Sequence, residues 1–350
     1  MNLTIQRDDL ARALAAVSRV VERRNTIPIL ACVLLDAGAD TLTVRATDLD
    51  MEMSVNVPAT VTGQGRAAVD AIKLADIAKR VTGDTITMSL DDGRLTVKCG
   101  RSRVSLPAVD ANDYPEINVG EFSSEFTLDL AAFVAPVAYA QSDEQTRYYM
   151  CGTYLHQAAE GLVAVATNGH QLAKRTGAGV GAFPPSIVPK KAIAALPKGE
   201  ATVSLSSSKI RVATVDTVLV SKLIDGTFPD YQRVVPVGNP HRLLVSKAAL
   251  TKAAELAMSV SDTKSRAIRL DIAPGSVSVS SSGAGGDASQ ELEAEYSGEP
   301  MSVGINGQYL VDTLAAFAGD EVEMAFADPG SPILFGGGGE LTGVCMPMRA

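Results

Sequence analysis

The sequence predicts an α+β fold made of three copies of one unit, each with two helices laid over largely antiparallel sheets. Three observations carry that expectation. Three segments open alike, each a short alternating strand running into an amphipathic helix: LTIQRDDLARALAAVSRVV from Leu3, FTLDLAAFVAPVAYA from Phe126 and LLVSKAALTKAAELAMSV from Leu243. A second set keeps the same rhythm, with starts roughly 120 residues apart: VDAIKLADIAKRVTGDTITMSL from Val69, VPKKAIAALPKGEATVSL from Val188 and VGINGQYLVDTLAAFAGDEVEMAF from Val303. Finally, an aromatic residue followed by a proline and an acid occurs twice, in DANDYPEI from Asp110 and in DGTFPDYQRV from Asp225. A proline stiffens a crossing from one unit to the next, so these stretches divide the chain into domains at 1–122, 123–240 and 241–350.

Within each copy the first element is a strand whose period of two gives way to a helical period. The second landmark reads as a strand end, a helix of about ten residues, a glycine-containing stop and an alternating strand. The helices and their ends fall at 7–24, 71–83, 127–147, 189–198, 246–266 and 306–320. Turn-rich strand pairs follow each second helix, and DDGR and DPGS supply hairpin chemistry there. The Gly/Ser-rich SSSGAGGDASQ, 280–290, and the four glycines at 336–339 read as flexible loops. The tail VCMPMRA places Met346 and Met348 around Pro347 in an edge strand, where flexible thioethers suit a surface that meets several partners or fill a core.

Composition sets the class. The 350 residues are 46% apolar and 20% charged, and the mean hydropathy is +0.13, far from the signature of disorder. The longest nearly apolar run, Leu130 to Ala140, is about half the length of a membrane span and contains a proline. The amino terminus has no basic start followed by an apolar core, so the expected location is the cytoplasm. Cys32, Cys99, Cys151 and Cys345 are far apart with no metal spacing and read as buried reduced thiols; no cofactor or metal is expected.

The net charge of −9 argues at first against a nucleic-acid partner, yet it is unevenly distributed. The six predicted helices and their ends sum to about +5, leaving about −14 elsewhere. If those helices share a surface, it suits a phosphate backbone, with Arg23, Arg24, Lys73, Arg80, Lys190, Lys191, Lys198, Lys247 and Lys252 as candidate contacts. No recognition-helix or stacking pattern suggests sequence reading.

Of the three histidines, His156, His170 and His241, only His170 sits where it could pass for a catalytic group, in VATNGHQLAKR beside Thr167, Asn168 and Lys174. It has no partnered nucleophile, and no G-x-S-x-G, H-E-x-x-H, phosphate-loop or paired-carboxylate motif occurs. A structural or binding turn is the better reading of these residues.

Eight stretches in order, RRNTIPIL, TDLDMEM, GRSRVSLPA, RYYMCG, VATNGHQLA, SKLIDGTFPDYQRV, YSGEPMSVGIN and MPMR, resemble the β subunit of bacterial DNA polymerase III, the sliding clamp, over essentially the whole chain. The resemblance implies a non-catalytic processivity factor: a head-to-tail homodimer of three similar DNA-clamp domains per chain, forming a ring with helices inside and sheets outside. Double-stranded DNA, encircled without sequence preference, is the implied partner, with Tyr148 joining the basic candidates. A pocket between the second and third domains is implied for short motifs of the polymerase III alpha subunit, the clamp loader delta subunit and repair proteins. Its matching residues are Arg147, Tyr149, Met150, Thr167, Gly169, His170, Leu172, Pro229, Arg233, Val234, Asn306, Tyr309, Val344, Met346, Pro347, Met348 and Arg349. The ring joint falls on Arg103, Ser105, Leu106, Ser259 and Val260. Departures are Gln171, where the family often has arginine, Glu144, where an amide is common, and the modest apolarity of Ser259 and Val260. Two alternatives stand beside this reading: a clamp paralogue serving repair or drug resistance, and an enzyme centred on His170.

Overall fold

The computed structural model describes residues 1–22, 26–336 and 338–349. One element order is written three times. The first third runs β1 (Asn2–Gln6), α1 (Arg7–Val17), β2 (Cys32–Ala37), β3 (Thr41–Thr47), β4 (Met51–Pro58), β5 (Thr60–Gly63), β6 (Gly65–Asp70), α2 (Ala71–Arg80), β7 (Thr85–Asp91), β8 (Arg94–Cys99) and β9 (Ser102–Pro107). The middle runs β10 (Ser124–Leu128), α3 (Leu130–Val134), β11 (Gly152–Ala158), β12 (Gly161–Thr167), β13 (Gln171–Gly177), β14 (Ser186–Pro189), α4 (Lys190–Ala195), β15 (Ala201–Leu205), β16 (Lys209–Ala213) and β17 (Thr217–Lys222). The last third runs β18 (His241–Ser246), α5 (Lys247–Met258), β19 (Ala267–Ala273), β20 (Ser276–Gly283), β21 (Gly286–Tyr296), β22 (Met301–Asn306), α6 (Gly307–Ala316), β23 (Glu321–Phe326), β24 (Ile333–Phe335) and β25 (Leu341–Cys345). The expected α+β repeat is therefore present, and only β5, which continues the line of β4, is extra.

Helices start where strands end, and the cap sits at the switch. The Asp70 carboxylate accepts from Lys73 N at the head of α2, Ser246 Oγ from Ala249 N at the head of α5, and Asn306 Oδ1 from Gln308 N and Tyr309 N at the head of α6. Each longer helix buries one stripe: Leu10, Ala13, Leu14 and Val17 in α1, and Leu250, Ala253, Ala254 and Ala257 in α5. α1 packs on α2 and α5 on α6. Fully burying a leucine of such a stripe contributes about 1.5–3 kcal/mol.

The chain forms two compact units. The first comprises residues 1–131, 182–184 and 191–223, the second residues 132–181, 185–190 and 224–350. Sheets cross the copies within each unit. In the first, an eight-stranded sheet runs β10-β15-β16-β17-β4-β3-β2-β6, and a five-stranded sheet runs β5-β1-β7-β8-β9. In the second, a twelve-stranded sheet runs β14-β11-β12-β13-β25-β24-β23-β18-β21-β20-β19-β22. The joints follow one rule: the third strand after a copy's first helix pairs antiparallel with the last strand of the next copy. β4 meets β17, with Val55 opposite Thr217, and β13 meets β25, with Gln171 opposite Cys345.

The aromatic-proline crossings are anchored by their aromatic residue. Tyr114 is buried and its hydroxyl donates to Cys32 O at 3.1 Å and Arg45 O at 3.4 Å. Phe228 stacks on Tyr154 at 4.9 Å between ring centroids.

Several expectations are corrected. The 280–290 stretch is not a flexible loop: Ser276 to Gly283 and Gly286 to Glu293 form a continuous hairpin, because serines pair as well as any residue once a partner strand is in register. Met346 and Met348 lie beyond β25 rather than in an edge strand; Met346 N donates to His170 O at 2.8 Å and Met348 N to Gly304 O at 2.9 Å. The helix expected over 127–147 is α3 followed by 3-10 turns at Ala135–Ala140 and Gln145–Met150, since Pro136 removes a donor. α1 ends at Val17 and α4 at Ala195, short of their expected ends. Cys151 is half-buried, unlike the other three cysteines. Among the described residues no helix is long and apolar enough to cross a membrane.

Tyr114→Phe leaves two carbonyls without their donor and should lower unfolding free energy in urea by about 1–2 kcal/mol; a midpoint unchanged from the parent would show that the hydroxyl anchors nothing.

Candidate functional site

A cleft in the second unit forms around the turn between β12 and β13. Thr167 Oγ1 donates to Gln171 O at 2.8 Å and accepts from Gly169 N at 3.1 Å. Asn168 Oδ1 accepts from both His170 N and Gln171 N at 2.9 Å. Gly169 takes φ 89°, a region that glycine reaches without strain. The turn is thus fixed from within, and His170 is held out to solvent.

The cleft, about 140 Å³, is lined by Met150, Thr167, Gly169, His170, Gln171, Leu172, Pro229, Asp230, Tyr231, Val234, Val344 and Met346. Beneath it lies a buried cluster of Val163, Val165, Leu172, Ile187, Phe228, Tyr231 and Val344. Leu172 and Val344 are register partners across the β13–β25 joint, so the pairing itself builds the floor. Val234 and Met346 stand exposed at the mouth. An apolar bed with a few fixed polar groups suits a short peptide rather than bond-making chemistry.

The other proposed pocket residues do not line this cleft. Tyr149 packs on the buried cluster. Arg147 lies beside the Gly169 backbone, with a weak ion pair to Glu144 at 3.5 Å. Arg233 is exposed and held by Asp230 at 2.9 Å. Tyr309 stacks with His170, ring centroids 6.2 Å apart, and lines an adjoining polar cleft. Asn306 is a helix cap whose amide also donates to Ser265 O, so it does not line the bed. Pro347, Met348 and Arg349 continue the tail past Met346. Gln171, Asp230 and Tyr231 line the cleft although they are absent from the candidates drawn from the sequence. Their signal was faint: Tyr231 and Asp230 belong to the crossing, and Gln171 drew notice only as a departure.

The first copy holds the same turn. Thr47 Oγ1 donates to Met51 O and accepts from Leu49 N, and Asp48 Oδ1 accepts from Asp50 N and Met51 N. Leu49 takes φ 77° where Gly169 takes 89°. Here, however, Glu52 follows where Leu172 stands in the second copy. Burial pushes its carboxyl above the usual range despite Arg45. Arg45 and Arg66 both reach Glu116, at 3.1 and 3.2 Å, and Lys222 pairs with Asp50 at 2.9 Å. Ion pairs fill the place that stays apolar at the second joint.

The basic candidates differ in how free they are. Arg23 and Arg24 lie outside the described residues. Lys73 pairs with Asp70 at 3.4 Å, Arg80 with Asp76 at 2.7 Å and Lys190 with Asp143 at 2.6 Å. Lys191 is held by Glu22 and Asp48; burial opposes its charge, but the two carboxylates outweigh it and raise its pKa. Lys247 donates to Phe317 O. Lys198 and Lys252 are exposed and have no side-chain partner among the described residues. Tyr148 is 51% exposed.

At the proposed joint, Arg103, Ser105 and Leu106 lie on β9, the outer edge of the five-stranded sheet. Ser259 and Val260 follow α5, where the Val260 carbonyl lies against Gly285 at the tip of the β20–β21 hairpin.

Comparison with known proteins gives one family throughout. Models of the DNA polymerase III beta subunit match residues 1–118 (N-terminal domain), 127–230 (central domain) and 232–349 (C-terminal domain). The beta sliding clamp of Caulobacter vibrioides is 39% identical over 95% of each chain, and that of Pseudomonas putida 33% over 100% of each. Among solved structures, the Bartonella birtlesii clamp bound to griselimycin superposes with a TM-score of 0.95 at 33% identity, and the Caulobacter crescentus clamp with 0.91 at 37%, each covering all of both chains.

His156 supports one wall of the cleft through a 3.0 Å hydrogen bond to Tyr231. Burial lowers its pKa below the ordinary 6.5, so the native state favours the neutral ring. That contribution is complete above about pH 6.5 and is lost as pH falls below it. The thermal midpoint should drop more between pH 7.5 and 5.5 in the parent than in His156→Gln; equal drops would remove His156 from the account.

Proposed function

Because the chain belongs to the DNA polymerase III beta-subunit family, the bacterial sliding clamps, we propose that it closes with a second copy into a head-to-tail ring around duplex DNA. As a member of that family it is a non-catalytic processivity factor. Its work is topological: a polymerase tethered to a sliding ring rebinds at high effective concentration instead of diffusing away.

The observation that carries the reading is the unfinished joint at each end of the chain. By the rule that joins the copies, β9 lacks the third strand of a preceding copy, and β21 lacks the last strand of a following one. Among the described residues β9 is an edge strand, and residues 286–293 of β21 pair only with β20. Each supplies what the other lacks. The charges agree as well: Arg94, Lys98, Arg101 and Arg103 are exposed on and beside β9, and Asp287, Glu291, Glu293 and Glu295 on β21. Opposite charge steers such an encounter and fixes its register. Arg103, Ser105, Leu106, Ser259 and Val260 are the joint residues in this reading.

The repeat units are proposed at 1–122, 123–240 and 241–350, and the protein as cytoplasmic. Duplex DNA is met through backbone contacts. Lys198 and Lys252 serve first, and Lys73, Arg80, Lys190, Lys191, Lys247, Arg23, Arg24 and Tyr148 are further contacts. The cleft around Leu172, Val344 and Met346 takes short, partly apolar segments of the polymerase III alpha subunit, the clamp loader delta subunit and other clamp-binding proteins.

Two outcomes follow. Placed on a nicked circular duplex by a clamp loader, the protein should stay through gel filtration and be released when the circle is cut; equal loss from circle and line would rule out encirclement. Deleting residues 346–350 should weaken binding of a fluorescent polymerase-derived peptide by about tenfold or more, with the circular dichroism spectrum unchanged; full affinity would move the site elsewhere.

A further inference from the structure

Next to the apolar bed lies a second, polar cleft lined by Tyr139, Gln141, Ser142, Asp143, Glu144, Asn168, His170, Gln171, Lys190, Tyr309 and Asp312. His170 and Gln171 belong to both clefts, so they adjoin within the second unit. Gln171 is only 4% exposed. Its amide orientation is set, because Nε2 donates to the Tyr139 carbonyl at 3.2 Å and a carbonyl can only accept. That leaves Oε1 as a buried acceptor with no hydrogen-bond partner, a group that costs stability until a donor reaches it.

The charge around this acceptor has one sign in excess. Asp143, Glu144 and Asp312 line the cleft with Lys190; Asp143 pairs with Lys190 and Glu144 weakly with Arg147, which leaves Asp312 in excess. Asp312 uses Oδ1 to accept from Gln308 Nε2, and its Oδ2 takes no hydrogen bond among the described residues. An unfilled acceptor and a surplus carboxylate beside an apolar peptide bed call for a cationic donor.

We propose that the polar cleft is a specificity subsite for an arginine or lysine flanking the apolar anchors of the bound peptide, with Gln171 as the residue that selects it. The proposal rests on the peptide-binding reading of the apolar cleft. The anchors lie over Leu172 and Val344, and the flanking cation passes His170 to meet Gln171 Oε1 and the Asp312 carboxylate. A glutamate at that flank meets like charge and an acceptor that cannot donate to it.

The test is a competition series by fluorescence anisotropy. Acetylated octapeptides keep Leu, Leu and Phe anchors in fixed order and carry Arg, Ala or Glu in turn at each flanking position. They are measured on the parent chain, on Gln171→Arg and on Asp312→Asn. At one flank, Arg should bind the parent about tenfold tighter than Ala, with Glu weaker still. Asp312→Asn should shrink the preference, and Gln171→Arg should reverse it towards Glu. Peptides that bind with equal affinity whatever the flanking residue, or an Arg preference that survives both substitutions, would overturn the subsite while leaving the apolar cleft in place. Failure of every peptide to bind would overturn the apolar cleft as a peptide site, and the subsite with it.

Discussion

An open strand edge governs how the copies of this chain join. A strand that ends a sheet exposes a row of backbone donors and acceptors that water satisfies, but that another strand satisfies together with side-chain burial. This chain resolves the matter twice by pairing copies with one another, β4 with β17 and β13 with β25. The same geometry leaves one edge of β9 and one edge of residues 286–293 of β21 without a partner strand among the described residues. Three copies joined by one rule leave two half-joints, the edges on which the proposed assembly rests.

The joint also decides where an apolar cleft can open. Each joint carries the same rigid turn, Thr47 to Met51 in one case and Thr167 to Gln171 in the other, and in each a backbone N–H at or just past the end of the last strand meets the turn: Lys222 N donates to Asp50 O, and Met346 N to His170 O. The scaffold is common, and side chains separate the two. Glu52, with Arg45, Arg66 and Glu116 nearby, fills the first joint with charged side chains, Arg45 and Arg66 both reaching Glu116. Leu172, with Val344 opposite, leaves the second apolar and open. A buried carboxylate must keep its partners, whereas a leucine floor loses little by exchanging water for a ligand.

Much of this was legible in the sequence because it is local. The switch from a two-residue to a helical period locates the helix starts, and two sets of landmarks about 120 residues apart reveal the repeat; the capping roles of Asp70, Ser246 and Asn306 emerge only in the folded chain. What escaped depends on partners far along the chain. The serines of 280–290 read as a loop until β20 and β21 are seen in register. Met346 reads as strand until β25 ends at Cys345. Lys191 reads as a free cation until Glu22 and Asp48 are found around it. Gln171 looked like a lost charge, and only its buried, unpartnered oxygen shows what the substitution leaves behind.

Whether the two half-joints complete one another is read from the solution mass by light scattering across a dilution series. The parent should show twice the chain mass of 36.4 kDa, about 73 kDa, persisting on dilution. Arg101 and Arg103 replaced by glutamate should shift the protein to the mass of one chain. A parent that remains a single chain at every concentration, or a charge-reversed variant that dimerises as tightly as the parent, would contradict the pairing of β9 with β21.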